Sequence, residues 1–425
     1  MRRTSHRLLG ALAALLIALT LPHPALAQEV VAQAGPFAMP ISSRSVERLS
    51  DALKLDADQK ALAKSLYAGY RSSFKQAAAA GDAEIHTSDE KFREEGGQDY
   101  SKMVKERTRV MRAFVDKASK LEKAYFEDLK AILTPAQAAG FDRAERTRRR
   151  EVGLKFAFVA GEGIDAFQIL HDLKIDRDAI PGLRDEAEQY EVEIDRAMIA
   201  KDKMLRNVFD QMEKLEGPET DAKLIEKTLE EFFTSGNRLR DLHRQFVRKA
   251  SALLPPDKQA AFDREVKKAS FPMVYKESAT DKSLAAARTI TDLSPEQKTE
   301  LASITEGYTR EVDAANTRWA AAIEDKQSKL SGNFMAMMMG GGEEASDDPL
   351  KLAREARKAL DERTTARVGQ LLKAEQKEKL PKIDPDPDTH GREFMPDFDE
   401  HDEWDQWKKE DGEDATSQPS PKRDP

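Results

Sequence analysis

Apolar residues recur along this chain at intervals of three and four. Leu62, Leu66, Tyr70 and Phe74 fall on one helical stripe, and Val110, Phe114, Ala118, Leu121, Tyr125, Leu129 and Ile132 on another. Further on come Leu239, Leu242, Phe246, Ala250 and Leu253, then Leu301, Ile304, Tyr308, Val312, Ala315 and Trp319. Such spacing is that of amphipathic helices with one core-facing edge. No convincing strand alternation is present; the nearest run, Leu154 to Val159, reads as a buried linker or helix end. The pattern breaks at Gly81 to Gly97, at Glu216-Gly217-Pro218 and at Ser331 to Pro349. Each break divides a pair of helices, so the pattern predicts long helical hairpins with arms of roughly 40 to 55 Å.

A short motif marks where the arms begin. Leu55-Asp56-Ala57-Asp58-Gln59, Ile175-Asp176-Arg177-Asp178-Ala179 and Leu293-Ser294-Pro295-Glu296-Gln297 start 120 and 118 residues apart. A second series, Leu133-Thr134-Pro135-Ala136-Gln137, Leu254-Pro255-Pro256-Asp257-Lys258-Gln259 and Leu372-Lys373-Ala374-Glu375-Gln376, starts 121 and 118 apart. The two series are offset by 78 or 79 residues each time. This near-constant spacing predicts three tandem units of about 120 residues. Thr134 suits the N-cap, Pro135 the first helical position, and Gln137 the third, where its side chain reaches back to the cap amide. Leu133 staples the entering chain. Leu293, Ser294, Pro295 and Gln297 repeat the box, and Leu55, Asp56 and Gln59 do so without proline. The other three copies are degraded: Lys373 is a poor cap, Ala179 replaces glutamine, and the 254–259 copy carries an inserted residue.

Composition sharpens the picture. Charged residues are 35% and aromatics 7%, which suits helices with much solvated surface. Absence of cysteine excludes a disulfide scaffold, a thiol nucleophile and a cysteine-based metal site. Arg2, Arg3 and Arg7, an apolar run from Leu8 to Leu21 and Ala25-Leu26-Ala27 form a signal-peptide pattern with cleavage expected after Ala27. The expected mature protein is therefore periplasmic or secreted, with no stable membrane insertion. Residues 384–425 hold 15 acids against 5 bases, so most of the chain's net charge of -9 lies in a tail expected to be disordered. The near-neutral body argues against a nucleic-acid groove. Its one basic cluster, Arg146-Thr147-Arg148-Arg149-Arg150, reads as a solvated helix end where cations suit the dipole. The resulting division is a signal peptide (1–27), an N-terminal linker (28–45), all-α hairpin units at 46–155, 156–272 and 273–383, and the acidic tail (384–425).

An export signal, no cysteine, and a hairpin with an LTxxQ-type motif opening a helix at each end resemble the Spy/CpxP family of periplasmic LTxxQ proteins. The likeness rests on Leu133 to Gln137 and Leu293 to Gln297, with Leu55 to Gln59 a looser copy, and extends over residues 46–383. It implies small all-α hairpins that act as ATP-independent chaperones or as adaptors of envelope-stress signalling. The chain departs from the family in carrying three units instead of one, and in its tail.

Chemistry-bearing constellations are sparse. His86, His171 and His243 are far apart and no HExxH spacing occurs, so each reads as structural or superficial. The acidic run around His401 lacks the ordered spacing of a calcium loop. Gly340-Gly341-Gly342 follows no strand and is no phosphate loop. The expectation is no catalytic residue, no cofactor and no metal site. Phe334, Met335, Met337, Met338 and Met339, at the tip of the third hairpin, read as an apolar tip and as candidate contacts for apolar partners. The expected function is an exported binding protein for unfolded or envelope proteins. The alternative is an envelope scaffold with one specific partner and an accessory metal-binding role.

Overall fold

The computed structural model describes residues 38–96, 100–155, 157–212, 218–329 and 347–381. The signal-peptide pattern, the methionine cluster at 335–339 and the acidic tail lie outside the described residues. Among the described residues the fold is all-α, with no strand. The chain divides into two compact units. The first holds the described residues up to 155 together with 188–239, and the second holds 157–187 and 240–381.

The first unit opens with α1 (Ser43–Ala52), which starts because Ser42 Oγ accepts the Ser45 amide at 3.1 Å. Lys54, in the left-handed region at φ 53°, turns the chain into α2 (Ala57–Glu94). At 38 residues α2 spans about 57 Å. It ends on Gly96, whose φ of 92° suits a residue without Cβ just past a helix end. α3 (Tyr100–Ala131) returns along α2, followed by α4 (Pro135–Ala138) and α5 (Phe141–Gly153). Two longer helices, α7 (Leu183–Met212) and α8 (Pro218–Leu253), give this unit their 188–212 and 218–239 portions.

Few aromatic residues exist, but the first hairpin concentrates them. Tyr70 meets Phe74 and Tyr125 with centroids 5.9 and 5.7 Å apart, Phe74 meets Phe114 at 5.6 Å, and Phe126 meets Phe141 at 6.0 Å. Aromatic pairs of this kind add about 0.5–1.5 kcal/mol each beyond the area they bury. The α2 register differs from the expected stripe. Its buried face is Gln59, Ala63, Tyr67, Tyr70, Phe74, Ala78, Gly81 and Ile85, while Leu62 is 52% exposed. A stripe of strict fours drifts around a helix of 3.6 residues per turn, so Leu62 slides off the face that Tyr70 and Phe74 define. Leu253 likewise lies exposed beside the buried Leu254.

The second unit contains α6 (Ala166–Asp172), the ends of α7 and α8, α9 (Pro256–Ser270), α10 (Pro272–Tyr275), α11 (Ala279–Thr289), α12 (Pro295–Lys329), α13 (Pro349–Leu371) and α14 (Ala374–Lys377). α12 and α13 form another long hairpin, the one read from the sequence as the third. Leu301, Ile304, Tyr308, Leu360 and Val368 make the core near its base, and Trp319, Ile323, Leu350 and Val274 make another further along. Between the arms lies a polar network. Arg357, 5% exposed, pairs with Asp361, donates to Asn316 Oδ1 at 2.9 Å and sits over the Tyr308 ring. The Leu154–Val159 run contains no strand among its described residues; α5 ends at Gly153 and Leu154 and Val159 are buried, as a linker reading requires.

Candidate functional site: paired glutamines at the hairpin bases

The motif leucines are anchors. Leu55, Ile175, Leu254, Leu293 and Leu372 are buried, and Leu133 packs at the edge of the first core. The boxes form around them. Gln59 N–H donates to Asp56 Oδ1 at 2.8 Å, and Asp56 N–H donates to Gln59 Oε1 at 3.0 Å. At the other end of the hairpin Thr134 N–H donates to Gln137 Oε1 at 2.9 Å, while the return bond from Gln137 N–H to Thr134 Oγ1 is long, 3.4 Å.

The hairpin also brings the two glutamines together. Gln59 Nε2 donates to Gln137 Oε1 and Gln137 Nε2 donates to Gln59 Oε1, both at 2.8 Å. Each Nε2 also reaches across to the main chain just before the other motif. Gln59 donates to the Ile132 carbonyl at 2.8 Å and Gln137 to the Lys54 carbonyl at 2.9 Å. Each amide thus has all four of its hydrogen-bonding positions occupied. Together the pair ties the start of one arm to the end of the other.

The third hairpin repeats the arrangement. Gln297 Nε2 donates to Gln376 Oε1 (2.9 Å) and to the Leu371 carbonyl (2.8 Å). Gln376 Nε2 donates to the Asp292 carbonyl (3.0 Å) and, at 3.4 Å, to Gln297 Oε1. Ser294 and Lys373 give their amides to these glutamines at 3.0 and 2.9 Å. The lysine side chain has no acceptor, so at Lys373 only the glutamine half of the box operates.

The middle unit lacks the pair. Its first motif does not open a helix; Asp176 closes a turn through the Asp178 amide, and α7 begins only at Leu183, after Pro181 and a Gly182 at φ 80°. Proline disfavours a helical Ile180, and this postpones the start. In the second motif the inserted residue makes Pro255 the cap and puts Lys258, not Gln259, at the third helical position. A proline cap has no amide for a glutamine to accept. Lys258 Nζ instead donates to the Leu173 carbonyl at 3.4 Å.

The basic cluster is not a solvated helix end. Arg148 and Arg150 are 2% and 6% exposed. Arg148 pairs with Glu122, Arg149 forks onto both Asp195 oxygens at 2.7 and 3.2 Å, and Arg150 and Arg143 both face the buried Glu191. The cluster therefore joins α5 to α3 and to the 188–212 part of α7 inside the first unit. The acids that answer it, 26 to 46 residues away, carried no local signal.

His86 and His171 are exposed and His243 is fully buried, its Nε2 donating to the Glu162 carbonyl at 2.8 Å. Among the described residues no group of three or more acids and histidines could hold a metal ion, and no helix is long and apolar enough to cross a membrane. The exposed large apolar side chains among those residues are Leu62, Val192, Ile199, Leu253 and Leu352. Val192 and Ile199, seven residues apart on α7, share one face. The proposed apolar contacts Phe334, Met335, Met337, Met338 and Met339 lie outside the described residues. No family model, curated protein or solved structure matches this chain.

Proposed function

We propose that the chain is an exported, non-enzymatic binding protein that holds exposed apolar segments of other proteins without nucleotide, as an ATP-independent chaperone or an envelope-stress adaptor. The observation that carries this reading is the reciprocal glutamine pair. The motif that links the chain to LTxxQ proteins supplies, at both ends of the first and third hairpins, the residues that hold the hairpin closed. A closed base keeps the two arms in register with their apolar faces packed together, and leaves on the outer faces exposed apolar side chains such as Leu62 and Leu352. Capture of clients on such faces needs no reacting group, only apolar contact and a population of unfolded client to draw on. A tail of dense negative charge keeps loaded complexes in solution by mutual repulsion.

The test follows light scattering by two unrelated denatured proteins, with the mature chain, the same chain ending at residue 383, and no nucleotide. Suppression of both aggregations at near-stoichiometric amounts is the expected result, weakened when the tail is absent. No suppression at several-fold excess by a chain shown to be folded and helical would overturn the general holdase and leave a scaffold for one fixed partner.

A further inference from the structure

Ahead of α1 the chain runs through Ala38, Met39, Pro40 and Ile41, held by α2 and α5 through two main-chain hydrogen bonds and by the burial of Ala38 and Ile41. Arg148 Nη2 donates to the Met39 carbonyl at 2.7 Å, and the Ile41 N–H donates to the Tyr70 hydroxyl at 3.1 Å. The same Nη2, with Nε, also forks onto the Glu122 carboxylate at 3.1 and 3.3 Å, which holds the guanidinium in place. Between the two contacts sits Pro40, which has no amide to satisfy and keeps Met39 extended. Ile41 is fully buried and belongs to the same apolar cluster as Tyr67, Tyr70 and Phe74. A carbonyl gripped by a buried guanidinium, an amide two residues on gripped by a buried hydroxyl, and an aliphatic pocket are the elements by which proteins bind extended, proline-containing peptides in trans.

Two further observations separate this stretch from the scaffold. α1 has anchors of its own: Ser42 caps the helix, Val46, Leu49 and Leu53 bury its inner face, and Arg48 pairs with Glu151 at 3.0 Å. The third hairpin uses the equivalent tyrosine otherwise. Tyr308, like Tyr70, lies fifteen residues after its motif leucine, but its hydroxyl donates to Asp361 Oδ1 at 2.7 Å and meets Ser278 Oγ at 3.1 Å, both side-chain partners. Gripping a main chain is thus a property of the Tyr70–Arg148 seat and not a requirement of the repeat.

We propose that this seat is a receptor for extended X-Pro-aliphatic segments of client proteins, which the chain fills in cis with residues 38–41 and gives up when a client displaces them. The proposal rests on the client-binding reading and gives it a substrate class and a gate. Because the seat reads main chain and one aliphatic side chain, it tolerates many sequences. A tethered occupant competes at an effective concentration of the millimolar order, so only clients present in excess, or linked at more than one point, displace it.

The probe is a fluorescent peptide of residues 38–44, Ala-Met-Pro-Ile-Ser-Ser-Arg, titrated by anisotropy into the full chain and into its Ile41→Asp variant. The variant, whose own segment no longer fits, is expected to bind saturably and at least about tenfold more tightly than the wild type. The same peptide with aspartate for isoleucine should not bind, and adding Tyr70→Phe to Ile41→Asp should weaken binding. A folded Ile41→Asp chain that binds no peptide, or binds it no better than the wild type, overturns the proposal. If Ile41→Asp does not fold, hydrogen exchange on the wild type decides: excess peptide must accelerate exchange of the Ile41 amide, and unchanged exchange overturns the proposal. Anisotropy reads the seat directly, so failed suppression of aggregation would leave a positive result standing, and the reverse also holds.

Discussion

A glutamine side chain offers two donor hydrogens and an oxygen with two lone pairs, and at the third position of a helix only one of these is needed for the cap. Gln59 gives the remainder to Gln137 and to the Ile132 carbonyl. Gln137→Ala would therefore remove one half of the cap, take from Gln59 two of its four hydrogen bonds and leave the Lys54 carbonyl without the Gln137 donor. We expect a loss of about 1–3 kcal/mol in urea unfolding, against less than about 1 kcal/mol for Thr134→Ala, whose cap bond is already long. Gln59→Ala should cost a similar amount, and the double variant should cost clearly less than the two losses together, with a coupling of at least about 0.5 kcal/mol. A Gln137→Ala chain no weaker than Thr134→Ala would show that the pair contributes nothing. The cap role of each glutamine was legible, because it depends on residues three apart. The partner was not, because pairing across 78 residues depends on two arms of matched length, and only the constant offset between the motif series hinted at it.

At the scale of the helix the informative residue is the tyrosine fifteen positions after the first residue of each leading motif (Leu55, Ile175 and Leu293): Tyr70, Tyr190 and Tyr308, all buried. Burial pushes the hydroxyls of Tyr70 and Tyr308 above their ordinary range, helped by Glu122 and Asp361 respectively, and burial alone does so for Tyr125. A tyrosine raised in the folded state is neutral there while its unfolded counterpart ionises near pH 10. Its stabilising contribution is intact below that pH and declines as pH rises above it. These tyrosines should therefore ionise together with the loss of helix, above about pH 10, instead of titrating smoothly in the native protein. Absorbance at 295 nm and far-UV circular dichroism followed in one alkaline titration would check this; full ionisation with helix intact would contradict it. Helix existence was readable from periodicity in α2, α3, α8 and α12, whereas the short α1, α6, α10 and α11 carried no stripe long enough to read. Register was less so, as Leu62 shows, since a four-residue interval is ambiguous over several turns. The turn at Asp176 was hidden because Pro181, five residues downstream, overrides an acceptable cap.

For the whole chain, repeats and compact units are different divisions. The motif spacing marks three units, whereas the contacts form two; of the boundaries between these two among the described residues, one follows α5 and the others fall inside α7 and α8. Spacing in sequence reports how a chain is built from copies, while compactness depends on side chains that no copy predicts. The arginine cluster illustrates this within the first unit. Arg143 and Arg150 converge on Glu191, 4% exposed and on the 188–212 part of α7. Removing one partner of a buried ion pair strands the other, typically at about 3–5 kcal/mol. Glu191→Gln should lower stability by an amount near the bottom of that range, since Arg143 is partly solvated, and Glu191→Lys by more. Thermal unfolding of the two variants would measure it, and a Glu191→Gln chain as stable as the wild type would mean that Arg150 finds another acid.

The glutamine pair has one more property. Its two halves are the same motif, so the contact is self-complementary in the way of a two-fold interface, and a motif from a second chain satisfies the same bonds as the one at the other end of the hairpin. Within one chain, proximity favours the closed form. Two chains opened at the far ends of their arms could exchange those arms and re-form every base bond, with nothing lost but the freedom of separate diffusion. A device that closes a hairpin is therefore also a device that permits domain swapping, and crowding or brief heating is the condition under which the second use competes with the first.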